Sequence, residues 1–113
     1  MHDIFAFQKL AVYVAARDFA RLVHQAGVAD AEFRDQATRA AKSTFLNIAE
    51  GLPDRHMGVR RRHFSIARNS LAEAVSALDG ALVIGGLDPA RAEALHASAS
   101  QLARLLGGLL RPR

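Results

Sequence analysis

Apolar residues recur at alternating steps of three and four in two long segments of the sequence. The two runs are Phe64, Ala67, Leu71, Ala74, Leu78 and Ala81 in one segment and Ala92, Leu95, Ala99, Leu102, Leu106 and Leu109 in the other. This spacing places apolar side chains on one face of an α-helix, which can pack against other such helices in a bundle. A weaker run of smaller side chains would let its helix approach a neighbour closely: Phe33, Ala37, Ala40, Thr44 and Ile48. The chain is therefore predicted to be all-α.

Capping and helix-stopping residues divide the chain into four predicted helices. The first runs from a cap at Asp3 to about Ala26, the second from a cap at Asp30 to Glu50, the third from Gly58 or Val59 to Ile84, and the fourth from Asp88 and Pro89 to between Gly107 and Leu110. The connections are short, so neighbouring helices must be antiparallel. We predict an antiparallel up-down-up-down four-helix bundle that forms a single domain over residues 1–113.

The composition excludes some classes of chemistry and favours certain partners. The chain has no Cys, which excludes disulfides, thiolate nucleophiles and cysteine metal sites. Its formal net charge of +4 and pI of about 10.6 favour acidic partners, nucleic acid above all. The first residues do not resemble a secretory signal, and no apolar run approaches the roughly 18 residues that span a bilayer. We expect a soluble, cytoplasmic protein that does not associate with membranes.

The first predicted helix has apolar side chains on two neighbouring stripes. One stripe contains Ile4, Ala11, Ala15, Leu22 and Ala26, and the other contains Phe5, Val12, Ala16, Phe19 and Val23. A helix with so wide an apolar arc can cover the core with one face and contact another subunit with the second. The alternative is a wide arc that faces only the core.

Polar residues with helical spacing lie along one side of the second and of the third predicted helix. They are Gln36, Ser43, Asn47 and Glu50 on the second helix and Asn69, Glu73 and Ser76 on the third. Facing each other across an antiparallel contact, these side chains could form a structural hydrogen-bonded network. We expect Arg39 to pair with Glu73, and Arg68 with Glu50.

The residues of these two helices resemble a known family. The runs DQATRAAKSTFLNIAEG at 35–51 and FSIARNSLAEAVSAL at 64–78 are similar to the paired signature of bacterial four-helix bundle proteins related to those encoded in intervening sequences of large-subunit ribosomal RNA genes. The matching positions are Gln36, Arg39, Ala40, Ala41, Ser43, Asn47, Ile48, Ala49, Glu50 and Gly51, then Phe64, Ile66, Ala67, Ser70, Leu71 and Glu73. Two departures are Phe45, where the family commonly has Pro, and Asn69, where it commonly has Gly.

The resemblance implies an up-down-up-down bundle that assembles as a homo-oligomer, with a five-membered ring as the form best associated with the family. A related branch, the accessory proteins of diversity-generating retroelements, forms basic rings that engage reverse transcriptase and nucleic acid. The resemblance thus implies RNA or DNA, and a nucleic-acid-processing protein, as partners. It implies no reaction.

Signatures of enzymes and of cofactor sites are sparse in the sequence. Glu93 and His96 form half of a bundle-type di-iron ligand set, but the other half is missing. His56 and His63 could approach each other, yet no third ligand is apparent. No glycine-rich phosphate loop or nucleophile elbow occurs. We expect a protein without catalytic activity, metal or cofactor.

Arginine and histidine crowd the turn into the third predicted helix. Positive charge at a helix start opposes the helix dipole, so we expect that local stability does not explain the cluster. In a ring it would form a basic belt that neutralises phosphates. The candidate nucleic-acid-binding residues are Arg55, Arg60, Arg61, Arg62 and His63. The alternatives are a solvated face, arginine stems packed between subunits, or a protein-interaction adaptor with no nucleic-acid role.

Overall fold

A computed structural model describes residues 3–112, and all of its regular structure is helical. A short 3₁₀ helix precedes four α-helices: the 3₁₀ helix covers Ala6–Lys9, α1 Ala11–His24, α2 Ala31–Gly51, α3 Met57–Val83 and α4 Pro89–Leu110. No strand occurs among the described residues. The predicted all-α fold is confirmed.

The helices form a four-helix bundle in which sequence neighbours pack side by side. The α2–α3 contact is the most extensive, and α4 returns to contact α1 and closes the bundle. Short connections make successive helices antiparallel. One end of the bundle therefore holds the starts of α1 and α3 with the ends of α2 and α4. The opposite end holds the starts of α2 and α4 with the ends of α1 and α3.

One apolar cluster runs through the bundle and contains the predicted seams of the second, third and fourth helices and the predicted apolar residues of the first helix from Val12 onward. Its largest fully buried apolar side chains are Phe19, Ile48, Phe64, Leu78, Leu95, Leu102 and Leu106. The α2–α3 contact is built from small buried residues, among them Ala37, Ala40, Ala67, Ala74 and Ala77. Small side chains let the two helix axes approach closely, which explains why this contact is the most extensive.

The predicted start of the first helix is wrong. Asp3 caps nothing, because α1 begins at Ala11 and its N-cap Leu10 has an extended backbone with φ of −68° and ψ of 142°. The Gln8 side chain instead accepts hydrogen bonds from the backbone N–H groups of Ile4 at 2.7 Å and Phe5 at 2.8 Å. These bonds close a local turn that competes with a continuous helix.

The wide apolar arc of α1 faces the core, which was the alternative left open by the sequence. Ala15 and Ala26 on the first stripe are buried, and Leu22 is half-buried. The exposed large apolar side chains near this helix are confined to Ile4, Phe5 and Leu10, all before its first turn. The arc of α1 therefore no longer argues for a subunit contact.

The predicted caps of the other helices are in place. Asp30 accepts a hydrogen bond from the Phe33 N–H at 2.9 Å, and Asp88 accepts one from the Ala90 N–H at 3.4 Å. At the end of α3, Gly85 has φ of +78°, which glycine adopts without strain. The N–H of Gly86 bonds to the Ala81 carbonyl at 2.8 Å and that of Gly85 to the Leu82 carbonyl at 3.0 Å, forming a Schellman motif. No helix of the described chain is long and apolar enough to cross a bilayer.

Candidate functional site

A line of hydrogen bonds joins α2 to α3, and we call it the polar seam: Ser43, Asn47, Glu50, His63 and Ser70. The hydroxyl oxygens of Ser43 and Ser70 lie 2.8 Å apart. Asn47 Nδ2 donates to the Ser43 carbonyl at 2.9 Å and lies 3.3 Å from its Oγ. A direct bond between two short serine side chains requires the two helix backbones to lie close together here.

His63 continues the polar seam toward the connection between α2 and α3. Its Nδ1 lies 3.0 Å from Asn47 Oδ1 and 3.6 Å from Glu50 Oε2. The His63 side chain is 25% exposed and that of Glu50 is 63% exposed, so the seam passes from the interior to water. Gly51 allows this contact, because a Cβ there would lie 2.9 Å from the Phe64 ring. The arrangement holds α2 and α3 together.

The other residues of the predicted network lie outside the polar seam. Gln36, Arg39 and Glu73 are exposed and line a groove of about 730 Å³ between α2 and α3, which we call the α2–α3 groove. The expected pair of Arg39 with Glu73 does not form, because Arg39 Nε donates to the Asp35 carbonyl at 3.3 Å. Within residues 3–112, neither Gln36 nor Glu73 has a hydrogen-bond partner.

Two further assignments are corrected by the rotation of α3. Asn69 is exposed, and the next residue, Ser70, meets α2, since one residue turns an α-helix by about 100°. The expected pair of Arg68 with Glu50 is wrong, because Arg68 lines a groove between α3 and α4. Sequence spacing did contain a signal for Ser70 and His63: both lie on the side of α3 that continues its buried stripe toward α2.

The predicted cluster of arginine and histidine around the start of α3 lies at the bundle end that holds the starts of α1 and α3. We call this end the basic end. Arg60 points back onto the end of α2, and its Nη1 donates to the carbonyls of Leu52, Asp54 at 3.2 Å and Gly51 at 3.5 Å. Its guanidinium also lies over the Phe64 ring, 5.4 Å from the centroid. Arg60 therefore supplies the positive charge that a helix end favours.

Arg61 does the same for α4, since its Nη2 donates to the Leu110 carbonyl at 2.8 Å. Arg91 repeats the device at the opposite end, where its Nη1 donates to the Gln25 carbonyl just after α1 at 2.7 Å. In each case an arginine near the start of one helix caps the end of an antiparallel neighbour. The expectation that local stability does not explain the cluster is thus wrong for Arg60 and Arg61, because it considered only the dipole of their own helix.

Three other arginines lie at the basic end, and we call them the uncommitted arginines. Arg55, Arg62 and Arg111 are exposed, and within residues 3–112 none of them has a hydrogen bond or an ion pair. The N-caps of α1 and α3, Leu10 and His56, give no side-chain hydrogen bond, and neither helix has an acidic residue in its first turn. Partial positive charge at the start of α1 therefore adds to the arginines, whereas at the start of α3 the Asp54 carboxylate accepts a hydrogen bond from the His56 N–H at 2.8 Å and offsets part of that charge.

Two adjoining cavities open at the basic end. The first, of about 430 Å³, includes Arg60, Arg61 and Arg111 in its lining, and we call it the arginine cavity. The second, of about 270 Å³, is lined mainly by aliphatic side chains, and we call it the aliphatic cavity. The two cavities share Arg60, Gly108 and Leu109.

Gly107 and Gly108 stand in the last turns of α4 without a packing reason. A Cβ at either position would meet nothing within 4 Å. Glycine in a helix costs up to about 1 kcal/mol relative to alanine. Gly108 borders both cavities, whereas Gly107 borders neither.

The model of one protein family matches the chain over residues 8–108, described as the 23S rRNA-intervening sequence protein. The match spans the polar seam, the α2–α3 groove and most of the basic end. The chain belongs to the 23S rRNA-intervening sequence protein family. The resemblance drawn from residues 35–51 and 64–78 is thereby confirmed. No curated protein matches the chain significantly.

As a member of the 23S rRNA-intervening sequence protein family, this chain has an unbroken α2 at the position where the resemblance led us to expect Pro. Phe45 stands there, and its ring packs 5.3 Å from the ring of Tyr13 in α1. The proline alternative would remove a helical N–H and interrupt the helix. In this family member, Phe45 instead fills the contact between α1 and α2.

The possible metal ligands identified in the sequence do not converge. His96 Nε2 lies 2.7 Å from Asp79 Oδ1, which ties α4 to α3 at the surface. No group of three or more His, Cys, Asp or Glu side chains within residues 3–112 has the geometry to hold a metal ion.

Proposed function

We propose that this protein is a self-associating scaffold without catalytic activity that binds nucleic acid at its basic end. The observation that carries the proposal is the group of uncommitted arginines, Arg55, Arg62 and Arg111, beside the starts of α1 and α3, whose first turns contain no acidic residue. Guanidinium groups and free backbone N–H groups both favour phosphate. The Arg60 and Arg61 side chains hold this surface in shape while adding to its positive charge.

The opposite end of the bundle has the opposite charge, and we call it the acidic end. Acidic residues collect there, at the starts of α2 and α4 and near the end of α3: Asp30, Glu32, Asp35, Asp79, Asp88 and Glu93. The bundle is thus electrically polarised along its axis. A polyanion approaching it would be steered to the basic end.

The α2–α3 groove supports self-association. Arg39 and Glu73 line it with opposite charges that do not pair with each other. Leu46 and Ile66 are exposed one helical turn from Ser43 and Ser70, on the same side of the bundle. Charged and apolar groups left open together are typical of a surface that another copy covers. The family resemblance suggests a five-membered ring, in which several basic ends would act as one multivalent surface.

A mobility-shift titration at low salt, with RNA and with DNA, tests the basic end. The double variant Arg55→Ala, Arg62→Ala is expected to bind much more weakly than the natural protein. The matched control is Arg21→Ala, Arg34→Ala, which removes the same charge from exposed side chains near the acidic end. Equal losses in the two variants, or no binding by the natural protein, would overturn the assignment.

Light scattering tests self-association. Ile66→Asp is expected to reduce the assembly to a monomer, because the introduced carboxylate would be buried at the contact. Val83→Asp is the control, since Val83 is 84% exposed and lies at the end of α3, away from the groove. A monomeric natural protein contradicts this part of the proposal.

The second candidate function is a protein-interaction adaptor with no nucleic-acid role, for which a nucleic-acid-processing protein is one possible partner. The observation that favours it is the pair Val83 and Ile84, which are 84% and 59% exposed beside the acidic end. This candidate predicts a purified complex that survives nuclease treatment and is lost in Val83→Ser, Ile84→Ser. It also predicts no nucleic-acid binding at low salt.

A further inference from the structure

The arginine cavity and the aliphatic cavity differ in chemistry although they adjoin. Arg61 and Arg111 border the first, and a guanidinium has five N–H donors, so the bond from Arg61 to Leu110 leaves other donors available. The lining of the second includes Val12, Leu52 and Leu105. A ligand that fills both must carry an anionic group next to a flat or apolar group.

Gly108 lies where the two cavities meet, together with Arg60 and Leu109. A methyl group there would stand in open space and touch no other residue. The missing side chain therefore does nothing for the packing of the chain itself. It does leave room for a bound molecule to lie against the helix.

We propose that the two cavities together bind one unpaired nucleotide of a nucleic-acid strand. The phosphate lies against Arg61 and Arg111, and the base lies over Gly108 in the aliphatic cavity. Arg60, which borders both cavities, can stack its guanidinium plane on the base. The inference rests on the proposed nucleic-acid binding and adds to it a preference for single strands.

A duplex cannot use this site in the same way. Its phosphates are accessible, but its bases are paired and stacked inside the helix, so only an unpaired base can enter a recess. Duplex binding would depend on the uncommitted surface arginines, Arg55 and Arg62, and not on the space above Gly108.

Fluorescence anisotropy with a short single-stranded oligonucleotide and its blunt duplex tests the proposal on the full chain. Gly108→Ala is expected to raise the melting temperature, because alanine favours the helix and meets no neighbour. The same variant is expected to weaken single-strand binding at least about fivefold, as loss of one base contact does. Duplex binding should not change.

Gly107→Ala is the matched control, since Gly107 is also open but borders neither cavity. It is expected to raise the melting temperature while leaving both affinities unchanged. Arg111→Gln is expected to weaken single-strand binding more than duplex binding. Comparing a ribonucleotide strand with a deoxyribonucleotide strand of the same sequence shows whether the site binds RNA or DNA more tightly.

The outcomes separate the inference from the proposed function. If both forms bind equally and Gly108→Ala changes neither affinity, the nucleotide site is overturned while nucleic-acid binding stands. If the natural protein binds neither form at low salt, both are overturned. If Gly107→Ala weakens binding as much as Gly108→Ala, the effect comes from the helix and the site is likewise overturned.

Discussion

At one end of the bundle α2 and α4 begin at Asp30 and Asp88, whose carboxylates cap them, whereas at the other end α1 and α3 begin at Leu10 and His56, which provide no side-chain cap. The ends of the helices differ only in part, because Arg91 donates to the carbonyl after α1 at the acidic end just as Arg60 and Arg61 do at the basic end. A glycine motif closes α3 at the acidic end, and arginines contact the carbonyls at the ends of α2 and α4 at the basic end.

The residues that cap the helices contribute to the charge of each end of the bundle. Carboxylate caps and a glycine stop satisfy backbone groups without adding positive charge, but arginine caps satisfy carbonyls and leave the cation in place. At the basic end, Arg60 and Arg61, which cap helices, therefore lie close in sequence to Arg55 and Arg62, which remain available to a ligand. Variants at both ends can separate these two contributions.

The largest effect is expected from Arg60→Ala at the basic end. It removes a charged donor from the carbonyls after α2 and a contact with the Phe64 ring, so the free energy of unfolding should fall by about 2–3 kcal/mol. Urea unfolding measures this change. Arg62→Ala, the exposed neighbour, is the control, and equal stability of the two variants would contradict the capping role.

Gly85→Ala tests the glycine stop that ends α3. Alanine at a φ of +78° is strained, so we expect a loss of about 1–2 kcal/mol in the free energy of unfolding. Thermal or urea unfolding is again the measurement. Gly86→Ala, whose φ is not positive, should lose less, and the reverse order would argue against the Schellman motif.

Asp30→Ala removes one carboxylate cap from the acidic end, and the expected loss is about 1 kcal/mol in the free energy of unfolding. The bond from the Phe33 N–H to the Asp30 carboxylate is the reason. Asp30→Asn keeps an accepting oxygen and should restore most of the stability. If both variants unfold at the same urea concentration, the cap contributes little.

The smallest effect on stability is expected from Arg55→Ala, Arg62→Ala, within about 0.5 kcal/mol of the natural protein. Neither side chain has a partner in the described part of the chain. If each arginine neutralises one phosphate of duplex DNA, the slope of log affinity against log salt should become less negative by about 1.8. A large loss of stability here would mean that these two arginines belong to the fold, as Arg60 and Arg61 do.

Much of the fold follows from local patterns in the sequence. Asp30 and Asp88 mark the starts of α2 and α4, and Gly85 marks the end of α3, because a cap or a left-handed glycine acts on backbone groups within a few residues. The start of α1 could not be predicted in this way. There the Gln8 side chain accepts hydrogen bonds from the N–H groups of Ile4 and Phe5. The sequence pattern does not indicate whether this turn or a continuous helix is the more stable.

The candidate sites were predictable only in part. Spacing on one helix indicated Ser43 and Asn47, yet it could not decide that Ser70 and His63 would complete the polar seam instead of Asn69 and Glu73. That choice depends on the rotation of α3 about its axis, which the packing of the bundle determines.

By itself, the sequence determined that this chain forms four amphipathic helices and where three of them start and stop, because periodicity and capping are local. The residue pattern at 35–51 and 64–78 also determined the family to which the chain belongs. Only the tertiary structure decided which arginines cap a neighbouring helix and which remain available, and where the two cavities meet at Gly108. Those facts depend on helix ends that are distant in sequence and adjacent in space. A carbonyl at Leu110 and a guanidinium at Arg61 are 49 residues apart in the chain and 2.8 Å apart in the bundle.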